Sequence, residues 1–144
     1  MAFITFMATN YLAIIGAAAA AFLFGGIWYG MLSSQWMAAA GLAWEAQEAR
    51  TGTAAARPYI VTIVAELVMA TALAWLMAHY VPSGITPFTG LVGGAAIWLG
   101  FVLPSVAVNH AFQGARQTLT WIDGGHWLGV LLIQGAVLGW IGIA

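Results

Sequence analysis

Apolar residues run through this chain in four long blocks, and polar residues gather between them. The blocks cover about Tyr11 to Leu32, Pro58 to Tyr80, Thr89 to Asn109 and Trp121 to Ile143. A helix that crosses a bilayer needs roughly 20 mostly apolar residues, and each block reaches that length. None alternates with the period of two that a strand requires. Backbone groups in lipid must also find partners within the chain, which favours helices. The expected fold is therefore all-α: a single domain over residues 1–144, built as an integral membrane bundle of four transmembrane helices. Pro58 suits a first helical turn, where its missing N–H costs nothing. Pro104 lies inside the third block and should free the carbonyl of Gly100.

The connections differ. Ser33 to Arg57 is the long one and is expected on the cytoplasmic side. It holds Glu45, Glu48, Arg50 and Arg57. Trp36 and Trp44 within it read as interfacial anchors, and a short helix is expected around Ala43 to Ala49. Val81 to Phe88, with Pro82, Ser83, Gly84 and Pro87, reads as a tight uncharged turn. His110 to Thr120 carries Arg116.

Composition fixes the surroundings. Charged residues make up 5% of the chain, against roughly a quarter in a soluble domain. That is too few to cover a water-facing surface or to form the basic stripe of a nucleic-acid binder. The lipid bilayer is the expected partner, and nucleic acid is not. The absence of cysteine excludes disulfides, thiolate metal ligands and cysteine nucleophiles. No Lys or Arg precedes the first block, which is longer than a signal-peptide core, so it is expected to be retained as a membrane helix. Arg50, Arg57 and Arg116 all fall in the first and third connections, on one side of a four-helix topology. The positive-inside rule then predicts a multi-pass protein of the bacterial inner (cytoplasmic) membrane with both termini outside.

Helices in lipid associate through close packing of small residues. The first block presents Ala13, Ala17, Ala21 and Gly25 at four-residue spacing, the third Gly90 and Gly94, and the fourth Gly125 and Gly129, then Gly135 and Gly139. These faces predict tight contacts within the bundle or between copies, and hence a homo-oligomer or a subunit of a larger membrane complex. Trp28-Tyr29-Gly30, Trp98-Leu99-Gly100 and Trp127-Leu128-Gly129 echo one another. In a chain so rich in Trp and Gly the echo reads as chance.

Few polar side chains fall inside the blocks. Glu66 lies near the middle of the second. A charge there costs about 2.5–3.5 kcal/mol even on insertion scales. It reads either as a proton or cation site, or as a neutral carboxyl hydrogen-bonded across the bundle. Gln134, inside the fourth block, also needs a partner, and the two are expected to meet the Pro104 kink in one interior polar pocket. A second group sits toward the cytoplasmic ends: Asn109 and His110 close the third block, while Asp123 and His126 open the fourth on one face. Asp–His pairing can tune a histidine near neutral pH. Asp123 also suits a helix cap, and that reading is preferred over a metal site. No metal and no cofactor are expected. No nucleophile elbow, phosphate loop or dinucleotide fingerprint is present, so the chain is not expected to be an enzyme.

Gly26-Ile27-Trp28-Tyr29, followed by Trp36-Met37 and Gly41-Leu42, resembles the opening of a small bacterial membrane family catalogued as domain of unknown function 1761. Trp98-Leu99-Gly100-Phe101-Val102-Leu103-Pro104, then Asn109 and Phe112, resembles its third helix. Ile122-Asp123-Gly124-Gly125-His126-Trp127-Leu128, then Gly135-Ala136-Val137-Leu138, resembles its fourth. His126 stands where the family's pattern carries an aromatic, often tyrosine, and the long first connection departs from it. The resemblance implies a four-helix integral membrane protein and implies no activity. The preferred expectation is a non-catalytic accessory or assembly subunit that packs through its small-residue faces. The alternative is a small proton-coupled transporter or channel using Glu66.

Overall fold

The computed structural model describes residues 2–81 and 84–143. Pro82 and Ser83 of the expected turn lie outside the described residues. Helices α1 (Phe3–Met31), α2 (Ser33–Ala40), α3 (Trp44–Glu48), α4 (Gly52–Tyr80) and α5 (Pro87–Ile97) come first. A π-helical turn over Trp98–Val102 then leads into α6 (Leu103–Phe112), and α7 (Gln117–Ile141) ends the chain. Four helical segments, Phe3–Met31, Gly52–Tyr80, Pro87–Phe112 and Gln117–Ile141, are long and apolar enough to cross a membrane. The chain is thus an all-α, multi-pass membrane protein.

Three of the spans start earlier than the apolar blocks suggest, by several residues each. In α1 the polar residues near the start turn back on their own helix. Thr9 Oγ1 donates to the Thr5 carbonyl at 2.9 Å and Asn10 Nδ2 to the Phe6 carbonyl at 2.9 Å. Such back-bonding lets polar side chains sit in a helix without breaking it. Phe3 and Phe6 then clasp Trp75 edge-on, each with ring centroids 5.1 Å apart. In α4 the small residues around Ala54 extend the helix backward, so Pro58 sits inside it rather than in its first turn. In α7 the start moves to Gln117, because α6 ends at the left-handed Gly114 (φ +66°). The first connection shortens accordingly and folds into α2 and α3.

The third span bends where Pro104 removes a backbone donor. Leu103 N–H reaches the carbonyl of Trp98, five residues back, instead of Leu99. Ser105 Oγ donates to the Phe101 carbonyl at 2.6 Å. The wide turn moves the backbone out of the way of the proline ring. At the start of this span, Thr86 and Thr89 form a reciprocal capping box ahead of Pro87 at the first helical position, which ends the preceding turn sharply.

Helix α7 is the hub. α1, α4, α5 and α6 all pack on it, and α4 leans mainly on α1. Glycine makes the closest crossing possible. A Cβ at Gly90 would overlap the backbone carbonyl of Gly135, and one at Gly135 that of Gly90. A Cβ at Gly94 would also overlap the Leu131 carbonyl, and one at Gly139 the backbone of Thr86 and Pro87. Gly125 and Gly129 do something different: each receives an aromatic ring from α1, Trp28 and Phe24 respectively. Ala17 and Ala21 are fully buried, and Gly25 is buried against His126.

Candidate functional site

Glu66 sits midway along α4 and is 0% exposed. Both carboxyl oxygens are buried without a hydrogen-bond partner. They belong to a residue that borders a cavity of about 350 Å³ between α1 and α4, whose other walls include Ala18, Ala19 and Phe22. Gln134 of α7 comes to the same level: its Nε2 donates to the backbone carbonyl of Glu66 at 3.0 Å. Its Oε1 is buried and unpartnered too. Three acceptor oxygens are thus enclosed at the centre of the bundle with no donor assigned to them. An enclosed polar atom left unmatched costs about 1–3 kcal/mol.

The kink does not join them. Trp98, at the π turn, donates its indole N–H to the carbonyl of Gly124 at 2.8 Å. Gly124 precedes Gln134 by ten residues, which is about 15 Å along a helix. The expected single pocket of Glu66, Gln134 and the kink is therefore two separate places.

Asp123 is the centre of a second polar cluster, and it is not a cap. With α7 starting at Gln117, it lies inside the helix, and the cap position falls to Arg116. Its Oδ1 accepts from Tyr29 Oη at 2.9 Å and from Trp36 Nε1 at 3.1 Å. Its Oδ2 lies 3.5 Å from His110 Nε2. His110 Nδ1 is 3.0 Å from Thr120 Oγ1. One carboxylate so ties α1, α2, α6 and α7 together. Trp36 is accordingly a strut from α2 onto α7. Asn109 is exposed and lies outside this cluster. Asp123→Ala is expected to remove two charge-assisted bonds of about 1.5–3 kcal/mol each, less the relaxation that follows. Hydrogen exchange should then rise in 33–40, where α2 loses its tether, while 130–138 stays protected. Equal exchange in both segments would overturn this role.

His126 shares a helix face with Asp123 but not its hydrogen bonds. It is 3% exposed, with Nδ1 buried and unbonded. Its ring stacks on Phe24 at 6.1 Å between centroids and meets Tyr29 at 4.7 Å. The four residues expected at this rim therefore divide: His110 and Asp123 pair, His126 turns inward, and Asn109 faces out.

Sequence reasoning missed Tyr29, Trp28 and Thr120 as members of the site. One signal was present. Trp28-Tyr29-Gly30 and Trp98-Leu99-Gly100 look like a chance echo in the sequence, yet both indoles do the same thing. Trp28 Nε1 donates to the carbonyl of Ile122 at 3.1 Å, two residues from the one Trp98 uses. Gly124 and Gly125 have no side chains to shield those carbonyls, so indoles from both sides reach the α7 backbone.

The family model described as "Protein of unknown function (DUF1761)" matches residues 12–139, and the chain belongs to that family. No curated protein matches it. No solved structure matches it either.

Proposed function

We propose that this chain is a small proton-coupled transporter or channel in which Glu66 takes up and releases the proton. One observation carries the reading: a fully buried carboxyl, both oxygens unpartnered, borders a cavity midway through a membrane span. Ionisable groups kept at such depth are costly, and proton relays are among the uses that justify them. The walls of the cavity at Ile15, Ala19 and Ile63 are exposed on the outer face of the bundle. Following the three arginines, we place both termini outside and the protein in the cytoplasmic membrane. No catalysis is assigned to it.

The test is proton flux into dye-loaded liposomes under a pH gradient, with the membrane potential clamped. Reconstituted protein should dissipate the gradient faster than empty vesicles, and Glu66→Gln should not. Flux that persists in Glu66→Gln would sink the proposal.

An accessory or assembly role is the second reading, and a different observation favours it. Only 6% of the most apolar window of the third span is buried, and its face away from α7, including Phe88, Val92, Leu99 and Phe101, is exposed to lipid or another protein. Against it, the small-residue faces expected to bind partners are largely occupied by the chain's own α1, α5 and α7. Isolation in mild detergent separates the readings: a stable larger complex supports the accessory role, and a lone chain or homodimer removes it.

A further inference from the structure

A second cavity, of about 520 Å³, lies nearer the arginine-bearing side, between α1, α4 and α7. Its floor is Gly25 and His126, both buried. Its mouth is Gly26, Gly30 and Tyr59, all exposed. We infer that this cavity binds a neutral, membrane-soluble planar ring bearing a hydrogen-bonding oxygen, the chemistry of a quinone or phenol headgroup.

Three features support that ligand class. The first is the shape of the wall. Gly26 and Gly30 meet nothing within 4 Å at the position a Cβ would take, unlike the glycines that pack α1, α5 and α7 together, such as Gly90, Gly125 and Gly135. Glycine costs about 1 kcal/mol relative to alanine inside a helix, and here no helix contact of the chain offsets it. Two glycines one turn apart leave a flat strip of backbone that a ring can lie against.

The second is the polar group. His126 is almost wholly enclosed, borders the cavity, and its buried Nδ1 has no hydrogen-bond partner among the described residues. Its Nε2 would stand 2.9 Å from a Cβ at Gly25, so the missing side chain there is what makes room for the imidazole edge. A neutral imidazole offers one donor and one acceptor, which suits a ring carbonyl or hydroxyl. The Thr62 hydroxyl, which donates to the Pro58 carbonyl at 2.9 Å, keeps acceptor capacity toward the same space.

The third is charge. No Asp, Glu, Lys or Arg lines the cavity, and aromatic residues, Tyr59 and Trp127 among them, form much of the rest. Pockets of this size with aromatic walls and a few placed polar groups hold small molecules. Without a countercharge an ion is disfavoured there. Because the mouth is on the lipid-facing flank of a span, the ligand arrives from the bilayer. This site is independent of Glu66 and stands or falls separately from the proton reading.

The test uses decyl-ubiquinone as probe and the full chain in lipid nanodiscs, with binding read by equilibrium partition above that of empty discs. Wild type should bind saturably. A Cβ at Gly26 meets nothing within 4 Å, so Gly26→Leu should extend into the cavity, keeping helicity and elution while abolishing saturable binding. His126→Phe keeps a ring but loses the nitrogens, and should weaken binding about tenfold, the worth of one buried hydrogen bond. Absence of saturable binding in wild type, or unchanged binding in Gly26→Leu, overturns the inference. So does a wild-type dimer that Gly26→Leu dissociates without a change in binding, which would give the glycine strip to a second copy.

Discussion

Gly135→Leu is expected to leave no folded bundle, and even Gly135→Ala should lower stability sharply. At this crossing the backbones of α5 and α7 touch, and an added Cβ meets the carbonyl of Gly90 rather than a side chain that can rotate. Overpacking typically costs 1–3 kcal/mol when neighbours can shift. Backbone cannot, so Gly135→Ala should reach about 3 kcal/mol, the top of that range. Loss propagates, because Gly94 and Gly139 hold the same two helices together one turn to either side. Within lipid no hydrophobic force pulls them back once they part, since acyl chains are as apolar as the interface. Gly26→Ala is the control. Its Cβ enters open space, so the change should be neutral or stabilising by up to about 1 kcal/mol from helix propensity. Unfolding in mixed micelles measures both. Equal shifts for Gly135→Ala and Gly26→Ala would refute the close crossing.

The contrast between these two glycines marks how far the sequence is legible. Four spans follow from block length alone, because a bilayer leaves a backbone no other economical structure. Spacing also marks which glycines share a face. It does not say whether a glycine meets backbone, as at Gly90, a ring, as at Gly125, or nothing, as at Gly26. That depends on which helices cross and at what height, which is set over the whole bundle. Asp123 shows the same limit. Read locally it suits a cap, since an acid near the start of an apolar run stabilises the exposed N–H groups. The real start of α7 is fixed by the left-handed turn at Gly114, and moving it upstream puts Asp123 inside the helix, facing Tyr29 and Trp36. Those two aromatics carry both an apolar body and a polar tip. In a membrane chain that combination also describes an interfacial anchor, so type alone could not assign them. Glu66 is the opposite case. An acid in the middle of a span is costly whatever the neighbours are, and its depth is readable without them.

Glu66→Leu should raise stability while abolishing proton flux, and the two opposite signs together discriminate between the roles open to this residue. As it stands, the carboxyl is enclosed with neither oxygen bonded. Replacing it with an apolar side chain of similar volume removes an unmatched polar group, a relief of about 1–3 kcal/mol. The adjoining cavity gives the branched side chain room, with Ala18 and Ala19 on its wall. A residue retained for a task commonly shows this trade, since the chemistry it performs is paid for in stability. A structural tie behaves the other way: removing it loosens the helices, and stability falls. Gln134 supplies the comparison, because it does make such a tie, from its Nε2 to the Glu66 carbonyl across α4 and α7. Gln134→Leu should therefore lose about 0.5–1.5 kcal/mol, the net worth of one such bond, with flux per folded molecule retained. Both variants are read in the same micelle unfolding and liposome flux assays. If Glu66→Leu destabilises as Gln134→Leu does, the glutamate is a register pin between helices, and its position at the centre of the membrane reflects packing alone.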